Sequence, residues 1–239
     1  MKKLIVVVFN VMVLLVSGLM VGCGFVPTGS GDLETEEYDF GDFNKVEISG
    51  TLEFEISRSS AYSISVTADD NVIEKVFVTK RGDTLKIDLE TFPRLGSITL
   101  KTVITMPQLR GLDISGAARG TIYGFNSTDD VHIRLSGASK VEGNIIAGNA
   151  DFDVGGASII QLEGSAKDMV ADVIGASYLR LGDFTVNNAS ITLMGVSTGT
   201  VNVSGRLDAD LQGVTKLSYI GEPVMGTIKK SAVSVLIKK

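Results

Sequence analysis

The stretch Val173-Ile174-Gly175-Ala176-Ser177 is one copy of a phrase that occurs six times between residues 112 and 221. In each copy an apolar residue lies two positions before a central glycine, and alanine or valine follows the glycine. The central glycines are Gly116, Gly137, Gly156, Gly175, Gly195 and Gly213. Their spacing of 18 to 21 residues is typical of a repeat architecture in which each repeat forms one structural unit.

Alignment of the six copies on their glycine shows an alternation of apolar and polar positions. The residues two before the glycine are all apolar: Ile114, Leu135, Val154, Val173, Leu193 and Leu211. Those four before it are also apolar: Leu112, Ile133, Phe152, Ala171, Ile191 and Ala209. A period of two predicts one strand per repeat with a fixed inward face. Apolar residues after the glycine, such as Leu179 and Leu181, indicate a second strand in each repeat.

These columns predict an all-β fold, a parallel β-helix or solenoid with about six rungs of 18–21 residues. If the repeats stack in parallel about 4.8 Å apart, each apolar column becomes a continuous core. A meander of hairpins is the alternative, and it leaves the identical columns without a reason. Alanines at the corner are expected to fill a tight inner bend: Ala117, Ala138, Ala157 and Ala176. The next residues are expected to form a hydroxyl ladder: Ser139, Ser158, Ser177, Ser197 and Thr215.

The N-terminus is typical of an export signal. Lys2 and Lys3 precede an apolar run that ends at Gly22, and Cys23, the single cysteine, follows it as in a bacterial lipobox. We expect a lipoprotein signal peptide over residues 1–22 and lipidation of Cys23; an uncleaved membrane anchor is the alternative. The remaining chain divides into a flexible tether (23–37) and a single solenoid domain (38–239). Within that domain we expect irregular capping strands (38–110), repeats (111–225) and a C-terminal strand (226–239).

The composition excludes several classes of protein. The 28 acidic and 22 basic side chains give a net charge of −6, which argues against a nucleic-acid partner. No tryptophan is present and aromatic residues make up 6% of the chain, so platforms for stacking on sugars are scarce. With one cysteine, the chain has no internal disulfide. No cofactor-binding motif is found, and His132, the single histidine, gives little support to a catalytic triad.

The polar column between the two apolar ones is the candidate functional surface. It contains Asp113, Arg134, Asp153, Asp172, Thr192 and Asp210, and we expect Arg134 to be stabilised by Asp113 and Asp153. Four carboxylates on this face are candidates for binding a ligand or a hard cation: Asp151, Asp153, Asp172 and Asp210. A solvated acidic face is the alternative. A third hypothesis, by analogy with β-helical polysaccharide-processing enzymes, gives Asp153 and Asp172 acid and base roles.

Four features of the sequence are typical of one known family: Phe43-Asn44-Lys45-Val46-Glu47-Ile48-Ser49-Gly50, Leu85-Lys86-Ile87, Met106-Pro107-Gln108-Leu109 and the recurrent Ser-Gly-Ala-Ser phrases. In these features the chain resembles the bacterial head GIN domain family, which is described as a "putative auto-transporter adhesin". The resemblance covers about residues 38–225. The resemblance implies a β-helical fold and an exported or lipid-anchored protein, and it supplies no catalytic residues.

Together these observations predict a lipid-anchored protein of the bacterial cell envelope, at the outer membrane or cell surface. We expect a non-catalytic adhesion, binding or structural module without a cofactor, whose partner is a surface glycan or an envelope protein. A polysaccharide-processing enzyme and an accessory protein of envelope signalling are the alternatives. The sequence leaves the oligomeric state open.

Overall fold

The computed structural model describes residues 28–90 and 96–239. The predicted signal peptide, Cys23 and the first part of the predicted tether lie outside these residues. Before the repeats, the elements are β1 (Leu33–Tyr38), β2 (Lys45–Gly50), β3 (Glu53–Arg58), β4 (Ser63–Asp69), the short helix α1 (Asp70–Ile73), β5 (Val76–Arg81), β6 (Thr84–Leu89) and β7 (Leu100–Met106). Within the described part of the chain, no helix is long and apolar enough to cross a membrane.

The repeats form strands that run almost without interruption to the C-terminal residues. They are β8 (Gly111–Gly116), β9 (Arg119–Asn126), β10 (Val131–Leu135), β11 (Lys140–Ile146), β12 (Asn149–Val154), β13 (Ile159–Gly175), β14 (Tyr178–Gly195), β15 (Thr198–Gly213), β16 (Lys216–Ile220), β17 (Val224–Lys230) and β18 (Val235–Lys238). The longest of them, β13 to β15, continue through a corner, so each contributes to two faces of the solenoid.

The strands stack into two parallel ladders, which confirms the predicted β-solenoid. Ladder A contains the segments that end at the repeat glycine, in the order β6, β2, β8, β10, β12, β13, β14, β15, β17. Ladder B contains the segments that follow it, in the order β7, β3, β9, β11, β13, β14, β15, β16, β18. Residues of the same repeat column are direct partners, as in Ile133 with Phe152 and Phe152 with Ala171.

The core lies between the two ladders. Every member of the two predicted apolar columns is buried, and so are the apolar residues of the second strand, such as Leu179 and Leu181. Phe152 and Phe184 meet edge to face with 5.9 Å between their ring centroids. Because each column repeats at the strand spacing, the core is continuous from β2 to the last turns.

The glycine corner explains why the phrase recurs. Gly156 has φ +77°, and a Cβ at this position would lie 2.3 Å from the carbonyl oxygen of Gly137 on the preceding turn. Gly137 has the same relation to Gly116, at 2.2 Å. A side chain at either position would therefore clash with backbone and strain a left-handed conformation.

The residues after this glycine correct one expectation. The predicted inner-bend alanines Ala117, Ala138, Ala157 and Ala176 are all exposed. The following hydroxyl residues point inward and are buried: Ser139, Ser158, Ser177, Ser197 and Thr215. The second residue after the glycine, not the first, continues the inward alternation of the positions four and two before it. Ser177 Oγ donates to the carbonyl of Ile174 at 3.2 Å and accepts from the N–H of Ser158 at 3.3 Å.

The N-terminal region combines a cap with a further turn of the solenoid. β2 and β3 lie in register with β8 and β9, and Gly50 is the partner of Gly116. The turn formed by β6 and β7 lies on the other side of β2 and β3, so the first turn in the sequence is not the first in space. Antiparallel pairs finish this end: β5 with β6, β4 with β7 and β1 with β4. β1 overlaps the end of the region predicted as a tether (23–37). The strand was not predicted, because its sequence lacks an apolar alternation.

Candidate functional site

The predicted outward column is continuous on ladder A. Arg134 is the direct partner of Asp113 on one side and of Asp153 on the other, and Asp172 follows Asp153. Thr192 and Asp210 continue the column towards Lys229. The strand pairing holds these side chains on one face, one turn apart, so their order in the sequence becomes their order in space.

Cationic side chains balance part of this stripe. Arg134 Nη2 lies 3.1 Å from Asp153 Oδ2, and Arg134 Nη1 lies 4.0 Å from Asp113 Oδ2, as the sequence predicted. His132 Nδ1 lies 3.2 Å from Asp151 Oδ2, and His132 Nε2 lies 3.7 Å from Asp153 Oδ2. Asp151 and Asp153 therefore contact two positively charged or ionisable groups on the neighbouring strand.

The four candidate carboxylates do not gather at one point. Asp151 and Asp153 share β12, and Asp172 is next to Asp153 on β13. Asp210 lies two strands beyond Asp172, with Thr192 between them. In residues 28–90 and 96–239, no group of three or more His, Cys, Asp or Glu side chains is placed to hold a metal ion. The hypothesis of a cation bound by Asp151, Asp153 and Asp172 thus gains no geometric support from this part of the chain.

An open groove of about 470 Å³ lies beside the stripe on ladder A, where the strands begin. Charged, polar and apolar residues line it: Arg110, Asp130, Val131, His132, Asn149, Ala150, Asp151, Asp168 and Val170. Of the apolar residues, Val131 and Ala150 are buried, whereas Val170 is exposed. Asp151 and His132 are therefore groove residues, whereas Asp153, Asp172 and Asp210 are not.

The groove has a polar ladder that the sequence analysis missed. Residues seven positions before the repeat glycines stack as Asp130, Asn149, Asp168, Asn188 and Arg206. Asn149 Nδ2 donates to Asp130 Oδ1 at 2.9 Å, and Asn188 Nδ2 donates to Asp168 Oδ1 at 2.7 Å. The ladder could have been predicted from the sequence by extending the alignment of the repeats to the position seven residues before the glycine. Carboxylate and amide groups alternate along it and leave other acceptors and donors available to a ligand.

One end of the groove is fixed by Arg110. Its Nη2 atom lies 2.5 Å from Asp129 Oδ1, and Gln108 also donates to the Asp129 carboxylate. Hydrogen bonds from Ser127 and Gln108, together with the charge of Arg110, lower the pKa of Asp129 from its ordinary value of 3.8. An ionised Asp129 thus orients a guanidinium beside the polar ladder.

The comparison with protein families gives a match over most of the chain. The model described as "Putative auto-transporter adhesin, head GIN domain" matches residues 42–223. The chain belongs to this family. The resemblance predicted from the sequence is confirmed, and the groove and the stripe both lie inside the matched part of this head GIN domain. A comparison with curated proteins gave no significant match.

Solved structures share the fold of this head GIN domain. A protein titled a putative adhesin, from Bacteroides fragilis NCTC 9343, aligns with a TM-score of 0.82 and 21% identity over 89% of this chain and 100% of that one. A putative lipid binding protein from Parabacteroides distasonis ATCC 8503 aligns with a TM-score of 0.66 and 21% identity, over 90% of this chain and 100% of that one. A putative adhesin from the same organism aligns with a TM-score of 0.67 and 16% identity, also over 90% of this chain and 100% of that one. At these identities the likeness establishes the fold alone.

Proposed function

We propose that this head GIN domain is a non-catalytic, adhesin-like binding module of the bacterial cell envelope. Its target is a surface glycan or an envelope protein, bound along ladder A. The observation that carries the proposal is the 470 Å³ groove, where polar side chains lie beside the exposed Val170. Solved structures with the same fold include two that are titled putative adhesins, which supports this class of function.

The geometry of the groove suits recognition of a polyhydroxylated or polar chain. Asn149 and Asp168 are partners on neighbouring strands about 4.8 Å apart, and Asp130, directly before β10, is hydrogen-bonded to Asn149, so their polar groups repeat along the solenoid. Val170, two residues after Asp168, offers an exposed apolar contact beside them. Because Asn149 and Asp168 stand on strands and Asp130 is held by a hydrogen bond, binding orders few side chains, which lowers its entropic cost.

A binding role fits the stripe better than a catalytic one. A glycosidase needs two carboxyl groups that flank the scissile bond, one of them able to donate a proton. Here Asp153 already contacts Arg134 and His132, while Asp172 lies on the neighbouring strand of the same flat face. Such a face holds a ligand without enclosing it.

Binding is tested with a glycan array and a pull-down from envelope extracts, using a variant that combines Asn149→Ala and Asp168→Ala. We expect at least a tenfold loss of affinity for whichever ligand the wild-type chain binds, because two hydrogen-bonding groups are removed. The matched control combines Thr121→Ala and Gln161→Ala on the outward side of ladder B, and it should bind normally. Equal binding by both variants contradicts the proposal. Polysaccharide turnover that disappears in Asp153→Asn and Asp172→Asn chains favours the enzyme instead.

We also propose that the chain is exported and attached to the membrane by a lipid on Cys23. The apolar run before this cysteine supports the proposal, as the small residues at the cleavage position do. Cys23→Ser should move the protein from the membrane fraction to the soluble fraction. If the Cys23→Ser protein stays in the membrane fraction, an uncleaved apolar anchor replaces the lipid in this proposal.

A further inference from the structure

The C-terminal end of the solenoid leaves its core uncovered. β17 and β18 are the outermost strands of the two ladders, and their outer edges have no partner strand among the described residues. Met225 continues the buried column of Ala189 and Leu207, yet it is 41% exposed. Leu236 of β18 continues the column of the buried Leu217, yet it is only half-buried. Open solenoid ends of this kind are usually covered by a capping element.

The two ends of the molecule carry opposite charge. Residues 224–239 contain four lysines and no acidic residue: Lys229, Lys230, Lys238 and Lys239. Residues 28–44 contain six acidic residues and no basic one: Asp32, Glu34, Glu36, Glu37, Asp39 and Asp42. Three of these acidic residues lie on β1, the outermost strand beyond ladder B at the N-terminal end. β5, the outer strand beyond ladder A there, carries Lys80 and Arg81, so the complementarity concerns β1 and β18.

Each end also presents apolar side chains beside its charges. On β1, Leu33 is 57% exposed, and on β5, Phe77 is 52% exposed. The C-terminal end has exposed apolar side chains as well: Val224, Val235 and Ile237. Contact between the two ends would therefore bury apolar area in addition to pairing charges.

Strand direction makes the two edges compatible. β1 is antiparallel to β4, and β4 is antiparallel to β7, so β1 runs in the direction of β7. β7 is parallel to β3 and to the rest of ladder B as far as β18. A second copy placed along the solenoid axis would thus set its β1 parallel to β18, with the pairing already used between successive turns.

We propose that this chain binds a second copy of itself head to tail, with β18 of one copy beside β1 of the next. Lysines of β18 facing each other disfavour a tail-to-tail contact, and glutamates of β1 facing each other disfavour a head-to-head contact, so the charges of these two strands favour the head-to-tail arrangement. On the side of ladder A, β17 and β5 are both basic and do not contribute to this selection. The contact joins two different surfaces and does not close on itself. It therefore produces open rows of molecules.

The test is sedimentation of the full-length chain in density-matched detergent, which keeps the apolar residues 4–22 from causing association. We expect an apparent mass that rises with concentration to at least twice 25.3 kDa and falls in 1 M salt, because the charges are then screened. Glu34→Lys with Glu37→Lys, and separately Lys238→Glu with Lys239→Glu, should each give monomers. Lys238 also contacts Glu222, so circular dichroism checks that each variant is folded.

The variant with all four changes decides the arrangement. Its charges are exchanged between the two ends, so head-to-tail association should return. A carbodiimide cross-link between a β1 glutamate and a C-terminal lysine of the wild-type chain must join two molecules, because ladder B separates these strands by about 48 Å. A wild-type monomer at every concentration overturns the proposal, as does a dimer that is unaffected by Glu34→Lys with Glu37→Lys. Failure of the variant with all four changes to associate also overturns the proposal. None of these outcomes depends on ligand binding by the groove.

Discussion

At the scale of single residues, the repeat glycines determine the shape of each turn. Their positive φ turns the chain, and their missing side chain lets the backbone of one turn approach the next. The sequence predicted the column of glycines and its period. It predicted the wrong direction for the following side chain, because Ala157 and Ser158 are both small and the alternation was not extended through the corner. The structure shows that Ser158 is buried and continues the inward positions, whereas Ala157 is exposed.

Two adjacent glycines allow a matched test of this role. In Gly156→Ala the new Cβ would lie 2.3 Å from the Gly137 carbonyl oxygen at φ +77°, so we expect a loss of about 2 kcal/mol or more in the free energy of unfolding. In Gly155→Ala the nearest such atom is 3.7 Å away and φ is not positive, so the change should be within about 1 kcal/mol. Urea unfolding followed by circular dichroism measures both. Equal destabilisation would show that the corner tolerates a side chain.

At the scale of strands, regular alternation predicted the repeats well and the first strands less completely. β2 has the same apolar alternation as the repeats, and Gly50 occupies the glycine column, but one isolated copy far from the others does not reveal its register. β1 has the sequence Leu-Glu-Thr-Glu-Glu-Tyr, which has no apolar alternation. Its pairing with β4 depends on residues 26 to 36 positions further along the chain, so the local sequence pattern does not predict it.

A hydrogen bond to the Asp208 carboxylate joins β17 to β15, and the titration of this carboxylate gives a pH-dependent prediction. Arg206 Nε and Nη2 donate to Asp208 at 2.7 and 2.9 Å, and the N–H of Thr227 on β17 donates to the same carboxylate at 2.6 Å. These contacts, that of Arg206 above all, lower the pKa of Asp208 from its ordinary value of 3.8. Because the pKa of Asp208 is lower in the folded state, these contacts stabilise the fold fully at pH values above the ordinary pKa of 3.8. The stabilisation is lost as the pH falls through the lowered pKa of the folded state.

Carboxyl-carbon NMR titration measures this directly. Arg206→Gln should raise the pKa of Asp208 towards 3.8, because the largest cause of the shift is removed. Arg180→Gln is the control, since Arg180 contacts Gln161 and Tyr178 on ladder B. It should leave the titration of Asp208 unchanged. The same pKa in all three proteins would show that Arg206 does not hold this carboxylate.

At the scale of the whole molecule, the sequence predicted a parallel solenoid, and the structure and the family match agree with it. The prediction succeeded because repeats that follow each other in the sequence are also neighbours in the solenoid. The candidate site was predicted in part: the stripe of Asp153, Arg134 and Asp172 was expected, whereas the groove was not. A groove depends on how neighbouring columns differ in side-chain length, and the alternation of polar and apolar residues does not contain that information.

The position of the β2–β3 turn between two later turns has a consequence for how the chain acquires its structure. In the order of the chain, β2 and β3 come before every strand that covers them. β6 and β7 complete one side by residue 106, and β8 and β9 complete the other side only at residue 126. Both edges of β2 and β3 are therefore available for pairing with other chains until β6 and β7 fold, and one edge stays available until β8 and β9 follow. Every later turn needs only its predecessor. Folding from the N-terminus therefore has one vulnerable interval at its start, followed by stepwise growth in which each new turn protects the one before it.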